Sequence, residues 1–583
     1  MDEAQDLCRL GEALFRQERF AESLTAFRQA VDCEAGNADA WCNLGAVHYR
    51  LQQFEKAARS YQHCLALNPV HVDALVNYGL LLANWEQCER AVELLREALR
   101  IQPGSLAARE NLALALFLQG ALVAAEAEAR QLLSLDPQYA SGWRLLGAIL
   151  EGQGRAADAV AAFERSLAIA PDANTHSSLL LAMQYADDVS ADGLLQAHQQ
   201  WNAVHADKLA PESPKIVVPG PVNLVPRIGF VSASFWTHPT GFLGIQALEG
   251  LKAAGCTVVC YSDTPRQDEF TARFKHAATV WRETRGLSAA ELAKQIREDR
   301  IDILVDLMGH TGERLPVFAH KPAPMQMTWL GYVGTTGVTA IDFLLADRYH
   351  VLEGEEAHYV ETVLRMPNGY ACYTPPAGAP SPTLLPALAN GQVTFGSFNN
   401  PAKYSAGTLD CWAEVLSRVS RSRLLLKYKG LDDATLQTRL REEFSRRGVK
   451  PDRILLEGKS PHCELLAQYG RVDLALDTRP YSGGLTTCEA LWMGVPVITY
   501  PGNTFAGRHS TSHLMNAGYD QFVAKDCESF VNLAVEWANR LDELALIRSQ
   551  MREQVRQSPL CDGPQFAFDF FDLLTRSWQS CRS

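Results

Sequence analysis

The stretch Arg479-Pro480-Tyr481-Ser482-Gly483-Gly484-Leu485-Thr486-Thr487-Cys488-Glu489 lies between two apolar runs, residues 472–477 and 495–500. A strand, a glycine turn carrying hydroxyls, a helix start and a carboxylate one turn further on together make a cradle for a nucleotide diphosphate. Gly483 and Gly484 let the backbone approach phosphates, and the amides at a helix start carry partial positive charge that suits an anion. Thr486 and Thr487 add hydroxyls, and Glu489 stands where a carboxylate can accept from ribose hydroxyls. The competing reading is a buried strand–helix turn that binds nothing.

Four further clusters carry chemistry-capable side chains. His238, in the Ser234–Gly241 loop after an apolar run, can donate, accept or act as a base near neutral pH, or simply fix its own loop. Asp306 and His310, in Asp-Leu-Met-Gly-His, could orient one another or meet an acceptor hydroxyl; capping of the next helix accounts for them equally well. Residues 321–337 are rich in glycine and threonine, as a phosphate- or sugar-adjacent loop would be, with Trp329 assigned to the core. Asn400 and Lys403 follow the run Val393–Phe398, and a lysine there can neutralise a pyrophosphate where no Asp-x-Asp pair holds a divalent ion. His462, in Glu-Gly-Lys-Ser-Pro-His, could read a nucleobase or cap a helix. No metal-ligand spacing and no Ser/His/Asp hydrolase arrangement is visible, so the sequence predicts no metal and no cofactor.

These clusters must be held by a sizeable scaffold. The chain has 583 residues, 47% hydrophobic and 21% charged, with a net charge of −13. That size predicts three to four domains, and the charge argues against nucleic-acid or anionic-membrane binding. No run is long enough to span a membrane, and the start, Met-Asp-Glu-Ala-Gln-Asp, lacks a secretory signal. The 14 cysteines are scattered without a CxxC pair, so reduced thiols and a cytoplasmic location are expected.

Along the first third, Pro69, Pro103, Pro137 and Pro171 recur every 34 residues, and Leu10, Leu44, Tyr78, Leu112 and Leu146 keep that period. Each of the latter precedes a small residue (Gly11, Gly45, Gly79, Ala113, Gly147), while Phe27, Tyr61, Leu95 and Phe163 supply a bulky position in step. With Trp41 and Trp143 at repeat starts, the pattern resembles the tetratricopeptide repeat, and about five units fit. Such arrays stack into solenoids that bind extended peptides or act as spacers or oligomerisation arms. Residues 174–226 read as a helical cap followed by a proline-rich linker from Pro211. From Arg227 short apolar runs alternate with helical stretches. They occur at 227–232, 257–262, 301–307, 325–330 and 343–347, then, after a proline-rich break at 373–390, at 393–398, 424–428, 454–457, 472–477 and 495–500. Alternation of this kind predicts parallel sheets flanked by helices. The expected layout is therefore repeats over 1–173, cap and linker over 174–226, and Rossmann-like halves over 227–390 and 391–583. The second half includes a C-terminal helix near 565–578 that packs back across the halves.

Taken together, the repeats, His-Pro-Thr at 238–240, Pro-Ala-Pro-x-Gln-x-x-Trp-Leu-Gly-Tyr at 322–332, Phe-Asn-x-x-x-Lys at 398–403 and Gly-Gly-x-Thr-Thr-Cys-Glu-Ala-Leu-Trp at 483–492 resemble the bacterial O-linked N-acetylglucosamine transferases and the related SPINDLY-type protein O-fucosyltransferases. The resemblance implies α plus α/β architecture, with a tetratricopeptide solenoid and a GT-B pair of Rossmann-like domains. It also implies an inverting, metal-independent protein O-glycosyltransferase, with UDP-N-acetylglucosamine as donor substrate and protein Ser/Thr recruited by the repeats as acceptor. By the same resemblance Lys403 stabilises the leaving group with Asn400 beside it, and His238 lines the acceptor side. Gly483, Gly484 and Thr486 meet the phosphates with Thr487 adjacent, Glu489 meets the ribose, and His462 the uracil. The proton acceptor stays open among His238, Asp306 and a phosphate oxygen. GDP-fucose or UDP-glucose as donor, or a decayed repeat scaffold, are the alternatives.

Three positions depart from the family pattern. Leu465 replaces a second histidine beside the base, Leu485 replaces a threonine at the phosphates, and Tyr481 is bulkier than the small residue of animal members. Two lost contacts at ~1 kcal/mol each would weaken the donor roughly thirtyfold.

Overall fold

The computed structural model describes residues 2–210 and 225–581; the proline-rich linker expected from Pro211 lies almost wholly outside them. Contacts divide the chain into two compact units, one running to Leu150 and including Ala168–Ala170, the other made of Glu151–Leu167 and the chain from Pro171 onward.

The first unit is helical, beginning with Asp2–Arg16, Phe20–Cys33, Ala38–Arg50, Phe54–Leu67, Val72–Asn84 and Cys88–Ile101. Its 34-residue phase has a direct packing cause. A β-carbon added at Gly45 would lie 2.6 Å from the Tyr61 ring, and one at Gly79 would lie 2.7 Å from Leu95. The small residue of each first helix is thus seated on the bulky residue of the second, so neither can be enlarged without prising the pair apart.

The second unit contains two all-parallel sheets. The first has seven strands: β1 (Arg227–Ser232), β2 (Thr257–Ser262), β3 (Val280–Glu283), β4 (Ile303–Asp306), β5 (Met325–Thr328), β6 (Phe343–Asp347) and β7 (Thr362–Met366), in the order β3-β2-β1-β4-β5-β6-β7. The second has five: β8 (Val393–Ser397), β9 (Ser422–Lys427), β10 (Ile454–Glu457), β11 (Leu474–Leu476) and β12 (Val497–Ile498), in the order β10-β9-β8-β11-β12. Strands buried on both faces explain the near-continuous apolar runs. In each sheet the order reverses between one adjacent pair, β1/β4 and β8/β11. Loops leaving the carboxyl ends of such a pair diverge and open a crevice where ligands bind in sheets of this kind. Lys403 follows β8, the glycine turn follows β11, and His238 follows β1.

Helices Ala173–Met183 and Ala191–His205 pack on the first sheet, where Leu180 and Trp201 join a core with Val231, Tyr261 and Leu304. The C-terminal helix, Gly563–Ser580, lies on the first half as well: Phe570 sits 4.8 Å, centroid to centroid, from the buried Trp329, and Gly250 leaves room for Ala567. The helix expected near 565–578 to pack back across the halves thus brings the end of the chain onto the first one.

One expectation is corrected. Cys411 and Cys527, separated by 116 residues, form a disulfide with 6.4 Å between α-carbons. It ties helix Ala406–Arg418 to helix Cys527–Ala538. Packing of those two helices creates the pair, which no short spacing announces. Among the described residues no helix is long and apolar enough to cross a membrane.

Candidate active site

A cavity of about 710 Å³ opens between the two sheets' domains. Thr237, His238, Phe242, Leu330 and Tyr370 line it from the first half; Asn400, Lys403, His462, Gly484, Thr486 and Glu489 line it from the second. Both switch-point loops of the second sheet meet here, which is why residues 403 and 484, distant in sequence, share one wall.

Lys403 is held from two sides. Its Nζ donates to the Ser482 carbonyl at 2.7 Å and stands 3.9 Å from the centroid of the Tyr481 ring. Tyr481 in turn stacks on Tyr185 at 5.2 Å, so the aromatic pair fixes the ammonium's position. Burial disfavours the charged form and pulls the Lys403 pKa down to about 7, with Asp477 the opposing influence. An anion arriving in the cavity would restore the charge.

Beside it begins helix Leu485–Trp492. The amides of Thr487 and Cys488 both bond the Gly484 carbonyl. The amides of Gly484, Leu485 and Thr486 therefore precede the helical ladder, at the mouth of the cavity, where a helix start favours an anion. Thr486 Oγ1 donates to Asn399 Oδ1 at 2.8 Å. Two expected phosphate contacts do not reach the cavity. The Gly483 amide donates to Asp477 Oδ1 at 2.7 Å, and the Thr487 hydroxyl bonds the Gly483 carbonyl and Ser510 Oγ at 3.1 and 2.7 Å. Both residues build the turn instead of facing the ligand space.

Glu489, one turn into the helix, is buried, and His462 Nε2 lies 2.7 Å from its Oε1. The carboxylate raises the His462 pKa. Expected to meet ribose and base separately, the two form a pair, with Leu465 and Leu485 as apolar cavity wall nearby.

His238 caps helix Pro239–Ala253, its Nδ1 accepting from the Thr240 amide at 3.3 Å. Burial lowers its pKa to about 4, so it is neutral at physiological pH. With Nδ1 accepting, the neutral ring carries its hydrogen on Nε2. It is a donor to whatever enters the cavity, not a base at that nitrogen.

Asp306 and His310, expected either as a catalytic pair or as a helix cap, are not among the residues of the cavity wall. Asp306 is 1% exposed and accepts from the Met308 and Gly309 amides at 3.0 and 2.9 Å and from Thr328 Oγ1 at 2.9 Å. His310 bonds Ser177 Oγ at 3.0 Å and the Thr336 carbonyl at 2.8 Å, with the edge of Trp201 packed against it. Burial holds its pKa well below the usual value. Both knit the cap helices and the β4 loop into the core.

His509 escaped sequence reasoning, whereas Leu330 lies in the 321–337 loop expected to stand near phosphate or sugar. His509 follows the glycine-bounded loop after β12, and its Nδ1 lies 2.9 Å from His350 Nε2; a histidine after a strand-end glycine was the available signal. Leu330 has φ of 71° in a γ-turn closed by Gly331 N–H to Trp329 O at 2.8 Å. A β-carbon on Gly331 would fall 1.8 Å from the Leu307 carbonyl oxygen. The Trp-Leu-Gly motif is therefore a backbone requirement of this wall.

A parallel-sheet pair with facing switch points and a cationic, helix-capped cavity between them defines a GT-B glycosyltransferase architecture, here preceded in sequence by tetratricopeptide repeats. The chain belongs to glycosyl transferase family 41, which it matches over residues 220–373 and 385–570. A tetratricopeptide repeat family matches residues 124–174. It is similar to a solved mutant O-GlcNAc transferase of Thermobaculum terrenum, with 33% identity and a TM-score of 0.81 over 88% of this chain and 99% of that one. It is also similar to proteins named probable UDP-N-acetylglucosamine–peptide N-acetylglucosaminyltransferase SPINDLY. The barley protein is 36% identical over 68% of this chain and 43% of its own length; the tomato protein is 35% identical over 71% and 45%. The chain thus spans less than half the length of these plant relatives.

Proposed function

We propose that this chain transfers N-acetylglucosamine from UDP-N-acetylglucosamine to Ser or Thr hydroxyls of proteins, with inversion and without a metal ion. The observation that carries the reading is the placement of Lys403 beside the start of helix Leu485–Trp492 on one cavity wall. As the bond from the anomeric carbon to the β-phosphate oxygen breaks, charge gathers on the diphosphate. Lys403 and the amides of Gly484, Leu485 and Thr486 stabilise it there. One preorganised donor of this kind contributes about 3 kcal/mol of barrier lowering. Among the described residues Glu489 is the only carboxylate on the wall, and it is engaged with His462, so the positive charge comes from the protein.

The acceptor hydroxyl attacks from the side of the first half, opposite the leaving phosphate, which inverts the centre. Its proton goes to a phosphate oxygen: His238 presents Nε2–H and positions sugar or acceptor oxygens by donating, while Asp306 lies outside the cavity. Asn400 lines the wall next to Lys403, and Glu489 with His462 orients the nucleoside. The names of the relatives favour UDP-N-acetylglucosamine, and the repeats supply the surface for protein or peptide acceptors. The test is intact mass of acceptor proteins incubated with UDP-N-acetylglucosamine, UDP-glucose or GDP-fucose. N-acetylhexosamine additions with the first donor alone support the reading; deoxyhexose additions from GDP-fucose would replace it with fucosyl transfer, and no addition from any donor would favour a non-catalytic scaffold.

A further inference from the structure

Away from the cavity, within the first compact unit, three soft or borderline ligands converge. Cys42 is on helix Ala38–Arg50, Cys64 on helix Phe54–Leu67, and His71 caps helix Val72–Asn84. Their sulfur and ring nitrogen atoms all lie within 4.8 Å of one another. The sequence gives no hint of this, because the spacing matches no metal motif. The repeat fold alone stacks the second helix pair against the start of the third.

We propose that Cys42, Cys64 and His71 form a binding site for Zn²⁺, with Asp39 as the carboxylate that orients the histidine. Asp39 Oδ1 lies 2.9 Å from His71 Nε2, the arrangement by which a carboxylate fixes the tautomer and raises the ligand strength of an imidazole. That pairing leaves Nδ1, which accepts a long 3.3 Å bond from the Ala74 amide, as the nitrogen to offer. Both sulfurs are buried, with Cys64 fully enclosed, whereas Asp39 is exposed. The site is therefore closed on the sulfur side and open to water on the carboxylate side, where a fourth ligand can enter. Charge also balances. Each thiol releases its proton on metallation, and two thiolates with a neutral imidazole bring Zn²⁺ to zero net charge, as a buried site requires. Two sulfurs and a nitrogen select a soft or borderline cation such as Zn²⁺ over Mg²⁺ or Ca²⁺. Bound metal would clamp the second repeat to the first helix of the third and stiffen the array.

Co²⁺ is the probe, added to the full-length, reduced, metal-stripped protein. The expected result is one equivalent bound with thiolate-to-cobalt charge-transfer absorption and the visible bands of a tetrahedral ion, both bleached by Zn²⁺. Cys42→Ser and Cys64→Ser should abolish the charge-transfer bands, while Cys256→Ser and Cys463→Ser keep them, which separates this site from the other thiols. His71→Ala leaves both sulfurs in place and should weaken Co²⁺ at least tenfold, so the question is decided even if a core cysteine variant fails to fold. Zn²⁺ should raise the melting temperature of the wild type and not of His71→Ala. Absence of charge-transfer absorption in the reduced wild type, or an unchanged spectrum in Cys64→Ser and His71→Ala, would overturn the proposal.

Discussion

Lowering of the Lys403 pKa to about 7 makes nucleotide binding pH-dependent in a calculable way. In the proposed function the bound diphosphate needs the ammonium; the cavity, by burial, disfavours it. Affinity is therefore full below pH 7 and falls as pH rises through 7, provided the bound diphosphate lifts the pKa back toward the usual ~10.4. The charged fraction is about one half at pH 7 and about 3% at pH 8.5, so the UDP dissociation constant should rise about sixteenfold, roughly 1.6 kcal/mol. A terminal phosphate, with its second pKa near ~6, is almost fully ionised across that window and adds little slope. Among groups facing Lys403, Asp477 favours its charge and His509 is held neutral by burial. His462 can add its own titration, which His462→Asn removes. Calorimetry in two buffers of different ionisation enthalpy should count about 0.9 protons taken up per UDP at pH 8. Lys403→Arg should bind with little slope over pH 7–8.5, and Lys403→Ala weakly and without slope. A pH-independent wild-type affinity with no proton uptake would refute the reasoning.

Other perturbations follow from single contacts. Glu489→Ala removes the partner of His462 and should weaken UDP about tenfold by calorimetry, since a buried polar group left alone costs about 1–3 kcal/mol. Leu485→Thr places a hydroxyl on the cavity wall and should strengthen UDP about fivefold, ~1 kcal/mol; unchanged or weaker binding would mean that this wall does not face phosphate. Asp306→Ala should lower stability by about 1–3 kcal/mol through its stranded amides while kcat of the folded fraction stays within about twofold, measured by thermal unfolding and active-site-normalised rates. Gly331→Ala should fail to accumulate or melt several degrees lower, because its β-carbon would overlap the Leu307 carbonyl oxygen.

Legibility in the sequence followed how local each determinant is. Repeat helices were readable because Gly45 against Tyr61 and Gly79 against Leu95 recur in register, each pair being one packing requirement. Doubly buried strands such as β1, β2 and β6 stood out as unbroken apolar runs, while β3 and β7 did not. Both are short edge strands carrying charge, Val-Trp-Arg-Glu and Thr-Val-Leu-Arg-Met, and a half-exposed edge has no need of an apolar run. At the site, residue types were legible and their directions were not. Asp306 and His310 have the composition of a catalytic pair, yet hydrogen bonds to Met308, Gly309, Ser177 and Thr336 turn them inward. Gly483 and Thr487 were expected at the phosphates, yet Asp477 and Ser510 engage their polar groups. His509 and the cluster of Cys42, Cys64 and His71 emerge only when distant segments pack together.

The most direct test of the central claim is kcat of Lys403→Ala for sugar transfer to a protein acceptor, at saturating donor and near pH 6.5. If Lys403 stabilises the leaving diphosphate, kcat should fall by about 10²–10³ while the acceptor KM stays within about twofold. Turnover within a few-fold of wild type would contradict the account, because the cation on which the proposed chemistry depends would then be dispensable.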